Sequence, residues 1–270
     1  MSLLGRWLYK SRKFYDDDFN WDTYTADSYE RRLVGVVERD NLAVAKSGEL
    51  SFDDVTGHVT SSARPIHPNQ QVILEAIGQL KPASVHEVGC GGGDHLATGK
   101  ALYPDIAFSG ADRGQTQLDL AAKRHPELAS DLSLQDITMP FSRHWPRADM
   151  VYSQTVLMHI HTAVSHFVGL ANMVNTANRF VLIMENQQCH NFVRDIENLW
   201  NGGHFNWDTM HMYRFDGSTG ARTILLSKEP LDFPVLTSDA QLREGLKPSK
   251  RRLKRADEDS ARGSFGFPRG

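Results

Sequence analysis

A short apolar strand, an acidic residue and a glycine-dense turn follow one another at residues 84–94. The glycines Gly89, Gly91 and Gly93 occupy alternate positions, and Asp94 comes directly after them. Glycine adopts positive φ without strain and lets the backbone approach a ligand closely. Asp is a common cap of a following helix. The segment therefore predicts a loop that binds a nucleotide-type cofactor between a strand and a helix.

Spacing separates the cofactor classes that use such loops. A P-loop needs a glycine five positions before a Gly-Lys pair, but Asp94 stands there before Gly99-Lys100, and Ala101 replaces the Ser or Thr. A dinucleotide fingerprint that starts at Gly89 requires its third glycine at position 94, where this chain has an aspartate. The carboxylate of Asp94 would disfavour a pyrophosphate at that point. The P-loop is excluded, and a nicotinamide dinucleotide site stays as a weakened alternative.

The spacing that remains is Glu-x-Gly-x-Gly-x-Gly, from Glu87 to Gly93. It resembles the first motif of class I S-adenosylmethionine-dependent methyltransferases, in which an acidic residue before the glycines faces a cationic ligand without phosphates. The resemblance implies S-adenosyl-L-methionine as the cofactor, bound at Glu87, Gly89, Cys90 and Gly91. An ordinary strand-to-helix turn is the structural alternative. We interpret Cys90 as a small packing residue rather than a nucleophile.

A second acidic residue ends the next apolar run, Ile106–Ala111. Asp112 lies about 20 residues past the glycines, where a carboxylate can accept hydrogen bonds from ribose hydroxyls. We assign its neighbour Arg113 to the same site. The structural alternative is that Asp112 caps a helix from Thr116 to His125.

Two further strand ends complete the predicted donor site. Asp136 and Ile137 follow a third short strand at residues 132–135. The resemblance implies that Asp136 receives the adenine amino group while Ile137 packs on the ring; an Asx-type turn at Asp136 is the alternative. Gln154, at the end of a fourth strand, is assigned to the donor site as well.

The remaining pattern predicts an α/β fold. The resemblance covers residues 65–227 and implies a Rossmann-like, mostly parallel methyltransferase sheet with a C-terminal antiparallel hairpin, flanked by helices. The individual predictions are helices over 68–80, 94–103 and 155–177, strands over 148–154 and 179–185, and a hairpin of 209–215 with 221–227. The strand over 179–185 is continuously apolar, as in a strand buried on both faces.

We divide the chain into three parts: a helical extension or lid over 1–65, a donor-binding domain over 66–242, and a basic, mobile tail over 243–270. The extension is expected to hold a helix over 21–45 and a polar loop over 47–64. Candidate lid residues, by family resemblance, are Trp21, Tyr24, Tyr29, Arg32 and Arg64. Apolar and basic residues within 3–13 fit either a packed helix or weak peripheral contact with an anionic membrane.

The acceptor site is expected after the fourth and fifth strands. Methyl transfer is an in-line displacement, and a hydroxyl acceptor also needs a base, for which histidine suits. We choose His159 first, then Glu185 or His190, with a polar and aromatic wall over 185–213. Many small-molecule members carry Val-Leu-Glu-His where this chain has Met158 before His159, so no metal is assigned.

Composition narrows the partners. The 270 residues carry a net charge of −3, so no global basic field attracts nucleic acid. The two cysteines form no disulfide framework, and no apolar run is long enough to span a membrane, so a cytoplasmic location is expected. Ser153-Gln154-Thr155-Val156 replaces the Asn/Asp-Pro-Pro-aromatic turn of the family's amino-methylating DNA enzymes, and no cysteine nucleophile is present there.

The sequence therefore predicts methylation of a small-molecule or glycan-like acceptor at oxygen or nitrogen. Two alternatives stay open. One is an NAD(P)-dependent oxidoreductase on a related doubly wound sheet. The other is a cofactor-binding, catalytically silent interaction module.

Overall fold

The structure is a computed structural model that describes residues 47–62, 65–160, 165–187 and 189–244. The predicted helix over 21–45, the five candidate lid residues, the basic N-terminal segment and the tail from residue 245 lie outside the described residues. The division at residues 65 and 242 stays a prediction. The described residues contain no helix that is long and apolar enough to cross a membrane.

Helices and strands alternate along most of the described chain. In order, they are β1 (Leu50–Asp53), β2 (His58–Ser61), α1 (Pro68–Leu80), β3 (Ser84–Val88), α2 (Asp94–Leu102), β4 (Ala107–Asp112), α3 (Gln115–Arg124), β5 (Leu132–Leu134), β6 (Ala148–Gln154), α4 (Ser165–Thr176), β7 (Ala177–Met184), α5 (Phe192–Asn201), β8 (His211–Asp216), β9 (Arg222–Ser227) and α6 (Asp239–Arg243). Short 3-10 turns lie at Pro126–Asp131 and Leu157–His159.

Seven of the described strands form one sheet in the order β5-β4-β3-β6-β7-β9-β8. The first five are parallel, whereas β9 runs antiparallel to both β7 and β8. The predicted fold class is confirmed, including the C-terminal hairpin. The strand order reverses between β3 and β6, so the carboxyl ends of these two strands open the crevice where ligands bind in such sheets.

The core lies on both faces of the sheet. Along β7, Phe180 and Leu182 join the apolar cluster under α1, α2 and α3, whereas Val181 and Ile183 join the cluster under α4 and α5. These four side chains are almost fully buried, because successive residues of a strand point to opposite faces. Helices on both sides therefore hold the central strands, and their carboxyl ends, in fixed positions.

Helix α1 has the predicted bounds, but the polar loop expected over 47–64 is wrong. Residues 50–61 form the antiparallel hairpin β1–β2. Its apolar side chains Leu50 and Val59 are buried against Leu74, on the side of α1 that faces away from the sheet. Glu75 of α1 also accepts the Val59 N–H at 3.2 Å. Each strand has only four residues, so its alternation of buried and exposed positions is too short to stand out in the sequence.

The helix predicted over 155–177 is also wrong in its first part. Thr155 has φ 56°, which lies in the left-handed region and cannot continue a right-handed helix. One 3-10 turn follows at Leu157–His159, and Ile160 is extended. Helix α4 is described from Ser165 onward. Periodicity predicted the helical residues of α4 correctly but could not detect the break before them.

Candidate functional site

A cavity of about 300 Å³ lies at the carboxyl edge of β3, β4, β5 and β6. Nine of the twelve predicted site residues line it, and they come from the last residues of these four strands and the loops that follow them. These nine are Gly89, Cys90, Gly91, Asp112, Arg113, Asp136, Ile137, Gln154 and His159. Glu87, Glu185 and His190 are not part of its lining. The strand-end residues predicted from the sequence are thus brought together at one place.

The glycine loop has the backbone conformation expected from its sequence. Gly89, Gly91 and Gly93 have φ values of 71°, 51° and 77°. A Cβ at Gly89 would lie 2.4 Å from Cγ2 of Val156, so the loop after β3 packs closely on the loop after β6. A Cβ at Gly91 would meet only the Gln117 side chain, at 3.6 Å. The backbone at Gly91 therefore borders the cavity directly, with room for a ligand.

Asp112 fixes this loop to the end of β4. Its Oδ2 accepts the Gly91 N–H at 3.0 Å, and its Oδ1 accepts the Gly114 N–H at 2.8 Å. Burial raises the pKa of Asp112, and the two backbone N–H groups partly offset that rise. Helix α3 has Gly114 as its N-cap and no side-chain cap, so Asp112 does not cap it. The carboxylate instead supports the glycine loop at the cavity wall.

Asp94 does not cap α2, contrary to prediction. The N-cap is Gly93, and Asp94 is the first helical residue. Its Oδ1 lies 2.7 Å from Nε2 of His125 and 2.7 Å from the Arg124 guanidinium. The sequence could not reveal these partners, because they lie about 30 residues away at the C-terminal end of α3. Asp94 nevertheless lines the cavity and puts a carboxylate at the N-terminus of α2.

The loop after β5 contains the Asx-type turn that was the alternative interpretation of Asp136, and its proposed contact with adenine stays a prediction. Its Oδ1 accepts hydrogen bonds from the Thr138 backbone N–H at 2.9 Å and the Thr138 hydroxyl at 2.6 Å, which is an Asx-type turn. Ile137 is buried, and its carbonyl accepts a 2.7 Å hydrogen bond from the Asn172 amide. The turn and its anchor hold the Asp136 carboxyl group and the Ile137 side chain at the cavity.

Glu87 lies behind the cavity wall rather than in it. Its carboxylate is almost fully buried, and Oε1 lies 3.1 Å from Nδ1 of His95 in the first turn of α2. His95 lines the cavity and was missed from the sequence. Burial lowers the pKa of His95, but the hydrogen bond and charge of Glu87 outweigh this, so the pKa lies above its ordinary value.

Glu185 holds the loop after β6 instead of facing the cavity. Its Oε1 accepts the Ser153 hydroxyl at 2.8 Å and the Val156 N–H at 3.0 Å, and its Oε2 accepts the Met158 N–H at 3.0 Å. Burial raises the pKa of Glu185, with these donors acting in the opposite direction. The donors occupy both carboxylate oxygens, so its evident role is to position the segment that ends at His159.

The two predicted catalytic histidines occupy different surroundings. His159 lines the cavity at the end of the 3-10 turn. His190 is buried and stacks on His166, with ring centroids 4.1 Å apart and planes at 14°. His166 in turn pairs with Asp195 across 3.3 Å. Of the three catalytic candidates, His159 alone lines the cavity.

Most of the wall predicted over 185–213 lies elsewhere. The Trp207 indole N–H donates to the carbonyl of Ala177, at the amino end of β7, across 3.1 Å. His211 pairs with Ser227, which in turn pairs with Phe180 near the same end. This second half of the segment therefore lies at the sheet edge opposite to the cavity. The prediction failed because α5 carries the chain back across the sheet.

Two buried amide oxygens lie at the cavity, those of Gln135 and Gln154. Only Gln154 was assigned to the site from the sequence. Oε1 of Gln135 and Oε1 of Gln154 have no hydrogen-bond partner among the described residues, and both side chains line the cavity. A buried polar atom without a partner costs free energy, so these oxygens indicate where ligand N–H groups can bind. The part of the chain that is described contains no group of three or more metal-ligating side chains suited to a metal ion.

Comparisons with known proteins give matches in structure alone. No protein-family model and no curated protein match the sequence. CalS10, an amino pentose methyltransferase of Micromonospora echinaspora solved with bound SAM, is 13% identical, with a TM-score of 0.47 over 65% of this chain and 94% of that chain. DesVI of Streptomyces venezuelae is 11% identical, with a TM-score of 0.44 over 59% and 90% of the two chains.

A third match is magnesium protoporphyrin IX methyltransferase of Synechocystis PCC 6803, solved with bound SAM. It is 15% identical, with a TM-score of 0.39 over 83% of this chain and 89% of that chain. The glycine loop, from its sequence, resembles the first motif of methyltransferases of this cofactor.

Proposed function

We propose that this protein is an S-adenosylmethionine-dependent methyltransferase that acts on a small-molecule or glycan-like acceptor at oxygen or nitrogen. The observation that carries the proposal is the glycine loop. Gly89, Gly91 and Gly93 all have positive φ, and Asp112 binds the loop backbone beside an open cavity. This is the arrangement that a nucleoside ligand requires at the carboxyl edge of a doubly wound sheet.

The residues present fit this donor. Asp112 would accept hydrogen bonds from the ribose hydroxyls, with Arg113 beside it at the cavity. Asp136 and Ile137 would hold the adenine ring. The buried amide oxygens of Gln135 and Gln154 have no hydrogen-bond partner among the described residues. They would accept hydrogen bonds from N–H groups of the ligand. Cys90 packs below the loop, where burial raises the pKa of its thiol above the ordinary range.

When bound, S-adenosylmethionine would supply a methyl group on a cationic sulfur. A lone pair of the acceptor would form a bond to the methyl carbon in line with the breaking carbon–sulfur bond, and S-adenosylhomocysteine would leave as a neutral thioether. The protein aligns the two partners and excludes water. His159 would accept the proton that a hydroxyl acceptor releases. Glu185 would keep the His159 segment in place through its bonds to Val156 and Met158.

The nicotinamide alternative has less support. A dinucleotide pyrophosphate would approach the N-terminus of α2, but Asp94 contributes a carboxylate to the cavity at that point. The pairing of Asp94 with Arg124 and His125 reduces this repulsion without removing the carboxylate. A catalytically silent module would have the same donor cavity, so only methyl transfer separates it from an enzyme.

Ligand binding tests the proposal. S-adenosylhomocysteine should raise the melting temperature of the full chain, whereas NAD should not. Replacing Asp112 by Ala should weaken S-adenosylhomocysteine binding by about 1–3 kcal/mol in calorimetry, because a buried hydrogen-bonding carboxylate is lost. Asp119→Ala, at an exposed position on α3, is the matched control. Protection by NAD alone would instead favour the oxidoreductase.

Catalysis needs its own measurement. Transfer of a labelled methyl group from S-adenosylmethionine to cell-extract metabolites should yield labelled small molecules. The Asp112→Ala variant should yield less at a subsaturating donor concentration. Donor binding with no transfer to any acceptor in such a screen would support the silent module.

A further inference from the structure

The glycine loop and the first turn of α2 share a buried acid–histidine pair that the donor assignments above leave unused. Glu87 is almost fully buried, and its Oε1 accepts a hydrogen bond from Nδ1 of His95. About a third of the His95 side chain, 30%, is exposed, and it forms part of the cavity wall. Because the Glu87 carboxylate can only accept, Nδ1 carries the hydrogen of this bond, and Nε2 can donate to a ligand when the ring is an imidazolium.

The surroundings favour a positive charge on this ring. A buried carboxylate at hydrogen-bond distance stabilises the imidazolium form. Asp94, the neighbouring acid, also favours that form, although its carboxylate is largely satisfied by Arg124 and His125. Helix α2 has no side-chain cap at its N-terminus, so its first N–H groups contribute partial positive charge there too. The His95 ring therefore offers a positive charge to a single carboxylate, while Asp94 still opposes a doubly charged pyrophosphate at the helix N-terminus.

A complementary group, the Gln154 amide, lines the same cavity. Ser153 pairs with Val88 in the sheet, so Gln154 lies beside the start of the glycine loop. Its buried Oε1 has no partner in the described protein and can accept an N–H from a cation. A cationic imidazole and an amide oxygen at one cavity match the two ends of an amino acid zwitterion.

We propose that His95, oriented by its hydrogen bond to Glu87, binds the carboxylate at the amino-acid end of the donor. This inference rests on the proposed function, since that end belongs to S-adenosylmethionine. His95 is then a binding residue, and Glu87 is a positioning residue that acts through it. Glu87, the acidic residue before the glycines, thus acts on the ligand through His95 and does not contact it.

Two ligands separate this role from a general effect on the site. S-adenosylhomocysteine and 5′-methylthioadenosine share the adenosine and the sulfur, but only the first carries the carboxylate. Calorimetry near neutral pH on the full chain should show that His95→Gln weakens S-adenosylhomocysteine about tenfold or more, because a charge-assisted hydrogen bond is lost. The affinity for 5′-methylthioadenosine should not change.

Further variants sharpen the test. His95→Lys retains a cation and should recover most of the lost affinity. Glu87→Gln should lower S-adenosylhomocysteine affinity less than His95→Gln does, again without affecting 5′-methylthioadenosine. His58→Gln, at an exposed position of the β1–β2 hairpin, is the matched control. Because 5′-methylthioadenosine binding reports an intact adenosine site, misfolding of a variant would be visible.

The outcomes distinguish the two proposals. Equal losses for both ligands, or no loss with His95→Gln, would overturn the carboxylate role and leave the proposed function standing. A lower methyl-transfer turnover with unchanged affinity for both ligands would also overturn it, and would make His95 a proton acceptor. If the unmodified protein binds neither ligand, the proposed function fails and this inference fails with it.

Discussion

The two sides of the cavity obtain the same unusual backbone conformation by different means. On the side of β3, three glycines have positive φ, which glycine adopts at little cost. On the side of β6, Thr155 has φ 56°, although a β-branched residue rarely tolerates this region. Three hydrogen bonds from Ser153, Val156 and Met158 to the Glu185 carboxylate surround it.

This difference has a physical meaning. A glycine loop is flexible in the unfolded chain but unstrained in the folded one, so local sequence nearly determines it. A threonine in the left-handed region costs about 1–3 kcal/mol and persists only where the surrounding structure fixes it. Strain of this kind is concentrated at functional sites. This difference agrees with the proposal that the β3 side binds the donor and the β6 side positions His159.

The largest effect is expected where the two sides touch. Gly89→Ala would put a methyl group 2.4 Å from Cγ2 of Val156 on a backbone with φ 71°. Overpacking and backbone strain together should lower the free energy of unfolding by about 2–4 kcal/mol. Urea denaturation followed by circular dichroism measures this.

A second glycine provides the control. Gly203 has φ 68°, but nothing lies within 4 Å of an added Cβ, so Gly203→Ala should cost only the backbone strain. Similar losses in both variants would mean that the contact with Val156 is unimportant, and the two sides of the cavity would then be mechanically independent.

The turn on the β3 side was predicted correctly because its determinants are local, although the roles of Asp94 and His95 were not. The positions of Gly89, Gly91 and Gly93 specify the turn, and Asp112 follows from the end of the next strand. What the sequence did not show is that Glu87 contacts His95 rather than the cavity, since that depends on how α2 packs against β3.

The β6 side was predicted poorly for the opposite reason. The role of Glu185 depends on backbone N–H groups of Val156 and Met158, and every residue except proline has such a group. The side chains at 155–159 therefore give no sign that this segment binds Glu185. The helix over 155–177 was predicted from helical periodicity alone. The hairpin at residues 50–61 was missed in a similar way, because its burial depends on α1.

A smaller effect is expected on catalysis from the β6 side. His159→Ala should lower kcat about 100-fold if His159 takes the acceptor proton, which corresponds to about 2.7 kcal/mol in the activation barrier. The affinity for S-adenosylhomocysteine should stay nearly constant. Steady-state kinetics with an acceptor found in the labelled screen, together with calorimetry, measures both.

The exposed His144 provides a matched substitution, His144→Ala, which should leave kcat unchanged. Unchanged turnover in His159→Ala would remove the proton-transfer role and leave alignment as the main contribution of the protein. Parallel losses of turnover and donor affinity would make the β6 side part of the donor site, and the contrast between the two sides would disappear.

The smallest effect concerns the strained residue itself. Thr155→Gly should raise the free energy of unfolding by about 1 kcal/mol, because glycine accepts positive φ and the strain is released. The same change should lower turnover, since the segment that carries His159 gains conformational freedom. Lys81, the other described non-glycine residue with positive φ, at 49°, lies at the end of α1. Lys81→Gly is the comparison outside the cavity, because it releases the same kind of strain and removes only an exposed ion pair with Asp54, which contributes little to stability. A gain in stability without loss of turnover would show that Thr155 is strained for reasons unrelated to chemistry. A loss of stability would show that the hydroxyl bond of Thr155 to the Gln154 carbonyl, at 2.7 Å, outweighs the strain.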